Sequence, residues 1–194
     1  MAKLKKQHMT IHWKAIVQDD SSIPATEATL KEKATLVGRI GLMMLSVGTG
    51  AWRVRNSMNK VSRCLGITCT ADIGLLAISY TCIEGTDTYT QSISLPTTGV
   101  NTHKLMELEL FMKEFPDKVS TCSVKHIHEV LDEIQKFPAN YKAWNLGLAS
   151  ALACGAFTFL LGGGPVEMCC AFLGAGVGNF VRKKMLGHSI SLLA

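Results

Sequence analysis

The sequence predicts two structures in series: an α+β cytoplasmic domain (helix, helix, small antiparallel sheet, helix, helix) followed by an α-helical transmembrane hairpin. Three observations predict it. Residues 143–181 carry one formal charge, Glu167, and Arg182-Lys183-Lys184 then arrive together. Before residue 137, several stretches place apolar residues three and four apart, the spacing of one helix face. Between two helical stretches, Tyr89, Gln91, Ile93 and Leu95 alternate with Thr90, Ser92 and Ser94, the period of a half-buried strand. A 194-residue chain that is 47% hydrophobic and only 18% charged suits a small domain plus membrane helices. The expected organisation is a disordered tail over 1–28, the α+β domain over 29–137, the hairpin over 140–184, and the start of a further, incomplete segment over 185–194.

The first 28 residues are polar and mixed in charge, and Asp19-Asp20-Ser21-Ser22 and Pro24 interrupt them. They lack the apolar core of a signal peptide. Ala28–Val47 reads as a helix whose apolar run, Ile40–Leu45, is too short to cross a bilayer, so it belongs inside the domain. Gly48-Thr49-Gly50 stops it. Ala51–Leu65 is a second helix with two faces: Val54, Met58, Val61 and Leu65 on one, Arg53, Asn56, Lys60 and Arg63 on the other. No acid lies between Glu32 and Asp72, so the polar face is cationic. Its plain reading is a solvated face. Its functional reading is contact with anionic headgroups or a carboxylate-bearing solute.

Ile67–Ile83, rich in Ile, Thr, Leu and Tyr, predicts two strands or one bent strand. Glu84-Gly85-Thr86-Asp87 is a hairpin signal, and Pro96 ends the strand that follows. Thr102 is the expected cap of a helix that buries Leu105, Leu108, Met112 and Phe115 and closes at Pro116. Ser123 is the expected cap of the next, with the stripe Val124, Ile127, Leu131 and Ile134. Pro138 and Asn140 separate that helix from the apolar segment.

Ala143–Leu161 has the length of one helical crossing of a ~30 Å hydrocarbon layer, and it shows no polar face. Gly162-Gly163-Gly164-Pro165 breaks it, and Val166–Val181, slightly short for a crossing, ends at the cationic triplet. Lys136 and Lys142 precede the first arm and the connecting loop has no Lys or Arg. By the positive-inside rule both ends are cytoplasmic. Gly174, Gly176 and Gly178, with Ala171 and Ala175, give the second arm a packing face, which calls for helical neighbours and oligomerisation. Glu167 reads either as a solute or proton site or as a wetted loop carboxylate. Asn179 reads as a hydrogen bond between packed helices.

Chemistry is sparse. The seven cysteines include no Cys-x-x-Cys, are odd in number, and read as small apolar fillers in a reducing compartment. The net charge of +5 comes without interleaved aromatics, which argues against nucleic acid as a partner. His128-Glu129-Val130-Leu131-Asp132 falls one residue short of the zinc-protease H-E-x-x-H, with Asp132 in place of the second His. It reads as an exposed helix face with ordinary i,i+4 contacts. There is no G-x-S-x-G, Walker loop or Rossmann fingerprint, so no catalytic residue, metal or cofactor is assigned.

Gly41-Leu-Met-Met-Leu-Ser-Val-Gly48-Thr-Gly-Ala-Trp-Arg53-Val54 resembles the opening motif of the threonine/serine exporter family, a helix of the form G-[LMI]-[LMI]-L-x-x-G before a short turn and an Arg-Val pair. The Leu65-Gly66 helix end, the strand pair, the Ser123-capped helix and the glycine cluster after the first span fit it too, over about Leu30 to Met185. The resemblance implies a cytoplasmic domain joined to a membrane bundle in the bacterial plasma membrane. It implies secondary export of threonine and serine or, in split two-component versions, of succinate-like dicarboxylates with a smaller membrane partner. The lipid bilayer, a small solute and an oligomer are the implied partners. Two departures stand out: Arg55 where an acid commonly follows Arg-Val, and Glu167 shifted by about one position from the family's acid. Family members also carry more spans than two, so a truncated portion is expected. The substrate-path candidates are Arg53, Lys60 and Arg63, as a cationic inner vestibule, with Glu167 and Asn179. The turn and packing candidates are Gly162, Gly163, Gly164, Gly174 and Gly178. A membrane-anchored hydrolase-like enzyme and a membrane recruitment module are the alternatives.

Overall fold

A computed structural model describes residues 13, 23–95, 98–136 and 141–187. Most of the expected tail and the segment 188–194 lie outside the described residues. The chain forms two compact units, 1–137 and 138–194.

The first unit is built around helix α1 (Leu30–Ser46). Thr29 starts it with a capping box: its Oγ1 accepts the Glu32 N–H at 3.4 Å, and its own N–H donates to Glu32 Oε2 at 3.1 Å. α1 is covered by α2 (Ala51–Cys64), α4 (Val124–Lys136) and the sheet, so residues 32–45 are all buried. That is why it has no polar side. Its buried charges are paired instead, and Lys33 Nζ donates to Glu84 Oε1 at 2.6 Å. Ala25, inside the expected tail, is also fully buried, and its N–H donates to the Cys122 carbonyl at 3.0 Å.

Residues 67–83 form two strands, β1 (Thr68–Ile73) and β2 (Ala77–Glu84). The turn at Gly85-Thr86 leads into β3 (Asp87–Ser94), and the sheet is antiparallel in the order β1-β2-β3. Cys69, Ile78, Tyr80, Cys82 and Ile93 face the helices. The other face carries paired hydroxyls, Thr81 with Thr90 at 2.9 Å and Ser79 with Ser92 at 2.6 Å.

Helix α3 (Thr102–Lys118) departs from expectation at both ends. Asn101, not Thr102, is the cap; its Oδ1 accepts the Lys104 N–H at 3.1 Å. Pro116 does not close the helix but lies in its last turn. A proline there removes one hydrogen bond, from the carbonyl four residues back, and leaves the rest of the turn intact. Ser123 caps α4 as expected, its Oγ accepting the His126 N–H at 3.3 Å. The stripe Val124, Ile127, Leu131, Ile134 is buried, but so is His128, which the sequence places on an exposed face.

The second unit is a hairpin of α5 (Ala143–Leu160) and α6 (Pro165–Gly187). The Gly162 N–H donates to the Phe159 carbonyl and the Gly163 N–H to the Thr158 carbonyl, a Schellman end to α5. Gly162 has φ +86°, a left-handed conformation that disfavours any side chain. The helices run antiparallel: a Cβ at Gly147 would meet the Gly176 carbonyl and Phe180, and one at Gly155 would meet Phe172. Of the glycine run in α6, Gly176 is the member that touches α5, against Ala151. Among the described residues nothing lies within 4 Å of a Cβ built at Gly174 or Gly178. Among the described residues only α5 is long and apolar enough to span a membrane. The two-span hairpin expected from the sequence is thus met by one qualifying helix. The 23 residues of α6 carry Glu167 near one end and Arg182-Lys183-Lys184 near the other.

Candidate functional site

A guanidinium in a buried helix must find its counter-charge inside the protein. Arg39 of α1 is 1% exposed, and α4 supplies its partners. Its Nη1 donates to His128 Nδ1 at 2.9 Å and to the His128 carbonyl at 3.0 Å; its Nη2 pairs with Asp132 Oδ1 and reaches Gln135 Oε1 at 3.5 Å. Trp13 covers the group, with Arg39 5.8 Å from its ring centroid and the His128 ring stacked on it at 6.4 Å. Because the guanidinium can only donate, His128 Nδ1 accepts and the imidazole proton sits on Nε2. Burial, reinforced by the Arg39 charge and opposed by Asp132, pushes the His128 pKa down to about 4. His128 is therefore neutral at pH 7. The i,i+4 spacing that imitates a zinc-protease motif is an interhelical arginine clamp. Among the described residues no three His, Cys, Asp or Glu side chains gather as a metal site.

Beside this clamp lies a cavity of about 80 Å³. Arg39, Ser46, Lys104 and Gln135 are its polar lining, between Trp13 and aliphatic side chains of α1, α3 and α4. Arg39 Nε is buried without a hydrogen-bond partner among the described residues. Lys104 Nζ donates to the Gln135 carbonyl at 2.7 Å, in the last turn of α4, where helix carbonyls lack internal donors. The sequence signal for this site was Arg39 within an apolar run, with His128 and Asp132 one turn apart. Pairing them needs the fold, which brings together residues 89 and 93 positions apart.

The five sequence candidates divide between the units, three on α2 and two on α6. Arg53 pairs with Glu109 of α3 at 3.3 Å, so an acid absent from the neighbouring sequence is supplied in space. Lys60 Nζ donates at 2.9 Å to the Met112 carbonyl, the one that Pro116 cannot serve. Arg63 is exposed in the last turn. The cationic face is thus partly an interhelical seam. Glu167 is exposed in the first turn of α6, where the helix dipole favours a carboxylate. A Cβ at Gly164 would stand 2.8 Å from its Oε2. Asn179 is half-buried on α6.

The family described as Putative threonine/serine exporter, ThrE, matches residues 35–193. The chain belongs to this family. No curated protein and no solved structure matches it. Membership in the exporter family points to a transport role, and the fold explains the form of the stretch Gly41–Val54 in this chain. A Cβ at Gly41 would lie 2.6 Å from Met58 Sδ, so α1 and α2 approach only through a glycine, and Gly48 turns the chain at φ +80°. Val54 is fully buried beneath α1, and Arg53 holds Glu109.

Proposed function

We propose that the chain exports small amino acids (threonine or serine) or dicarboxylates across the bacterial plasma membrane by secondary transport. In this reading both α5 and α6 cross the bilayer, the chain oligomerises or joins a small membrane partner, and residues 29–137 form the cytoplasmic domain. The match to the exporter family over residues 35–193 carries it. α5 supports it: Trp144, Leu152, Phe157, Phe159 and Leu160 are exposed, as suits a helix solvated by lipid. α6 reaches the required length when the Arg182, Lys183 and Lys184 stems extend toward the headgroups. Glu167 and Asn179 then lie on the membrane path, and Arg53, Lys60 and Arg63 draw in an anionic or zwitterionic solute.

Cells loaded with threonine, serine or succinate test this. Expression of the chain should accelerate efflux of at least one solute, and Arg63→Gln should slow that efflux, less so at high salt because the attraction is screened over ~8 Å at physiological ionic strength. Efflux equal to that of empty cells for all three would remove the proposal. A cysteine at position 163, on a background without native cysteines, should react with an impermeant thiol reagent in intact cells, whereas one at position 22 should stay protected. The reverse pattern would overturn the topology.

A further inference from the structure

We propose that the cavity between α1, α3 and α4 binds a small monocarboxylate with an aliphatic body. The site lies wholly in the first unit, so binding there is separable from export. It is roomy enough for a small ligand: about 80 Å³ exceeds the space of a single water several-fold. Its walls are mixed. Leu42, Leu108 and Ile134 offer apolar surface to a hydrocarbon body, while Arg39 and Lys104 offer donors. The cavity opens partly to solvent, and water beside Leu42, Leu108 and Ile134 finds no hydrogen-bond partner there, so a ligand with a hydrocarbon body gains by displacing it.

The charge balance sets the ligand class. Arg39 is neutralised by Asp132, whereas the Lys104 ammonium donates to a neutral carbonyl. Among the described residues the cavity lining includes no carboxylate, so the Lys104 ammonium is the positive charge there that no acid of the lining balances. A monoanion balances it. A zwitterionic amino acid would leave its ammonium without an anionic partner, and a dicarboxylate would bring one charge too many into an apolar space. The unpartnered Arg39 Nε–H and the Lys104 ammonium are the donors a carboxylate takes, in charge-assisted bonds stronger than those between neutral groups. Ser46 Oγ, at the C-terminal end of α1, already donates its proton to the Met43 carbonyl at 2.6 Å, so it lines the cavity without serving as a donor to the ligand.

The test uses the full chain in detergent with Trp52→Phe and Trp144→Phe, which leaves Trp13, in the cavity wall, as the sole tryptophan. Isobutyrate, threonine and succinate are titrated and Trp13 emission is read. Isobutyrate should give a saturable change with a Kd of about 1 mM or tighter, at least tenfold tighter than threonine or succinate. Lys104→Gln should weaken it about tenfold, and Ser46→Leu, which fills the cavity, should abolish it. Circular dichroism checks the folding of each variant; Lys104 is only half-buried, so its replacement keeps the test alive if Ser46→Leu fails to fold. A linear response to isobutyrate up to about 50 mM, equal affinity for threonine, or unchanged affinity in folded Lys104→Gln would each overturn the proposal.

Discussion

Arg39 shows how a single residue sets the terms for the first unit. Its charge, 1% exposed, is held by one acid and one imidazole from the same helix. Removing the acid strands the charge: Asp132→Asn should cost about 2–4 kcal/mol in chemical denaturation, whereas Glu129→Gln on the exposed side of α4 should cost less than ~0.5 kcal/mol. His128 makes the clamp sensitive to acid. Its folded pKa of about 4 lies below the ordinary 6.5, so the unfolded chain takes up its proton first as pH falls. Stability is full above pH 6.5 and falls by up to ~3 kcal/mol on approach to pH 4. His128→Gln should flatten that part of the stability-pH curve; an identical slope in both proteins would show that the imidazole contributes nothing. The sequence displayed the 128/132 spacing plainly, but the spacing fits a metal pair and a one-sided arginine clamp equally well. Only the approach of α1 decides between them.

At the scale of elements, the periodic patterns were the most readable part of the chain. The inward face of β3, the apolar stripe of α4 and the buried side of α2 follow directly from period two or 3.6. The ends of α3 did not, because local rules compete there. Asn101 and Thr102 are both good caps, and the extended backbone falls at Asn101. Pro116 reads as a stop, yet in a last turn it costs one bond, and Lys60 of α2 supplies the missing donor to Met112. This gives Lys60 a structural role alongside any part in solute access. Lys60→Met should destabilise the chain by about 0.5–1.5 kcal/mol. In a Pro116→Ala background, where an N–H returns to position 116, the same change should cost close to nothing. Additive losses in that double-mutant cycle would detach Lys60 from the proline.

For the whole molecule, the division into two units follows from how each buries its apolar surface. Residues 1–137 enclose a core around α1, whereas α5 leaves most of its apolar side chains uncovered. The composition of 143–181 already carried that contrast; which glycines pack could not be read from it, because Gly174, Gly176 and Gly178 share one composition and differ only in azimuth. The geometry separates them. A Cβ at Gly176 would press on Ala151 at 3.0 Å, while Gly174 and Gly178 open outward. Gly176→Leu should therefore force α5 and α6 apart at a cost of about 1–3 kcal/mol, lowering the melting temperature of the detergent-solubilised chain by several degrees. Gly178→Leu should leave that temperature within about one degree. If the outward glycines face further helices in lipid, as small residues at helix contacts do, Gly178→Leu should instead reduce cross-linking between copies of the chain in membranes while Gly176→Leu unsettles the hairpin itself. Equal melting temperatures for the two variants would show that Gly176 is no tighter a contact than its neighbours. Unchanged cross-linking in Gly178→Leu would leave lipid as the neighbour of that face.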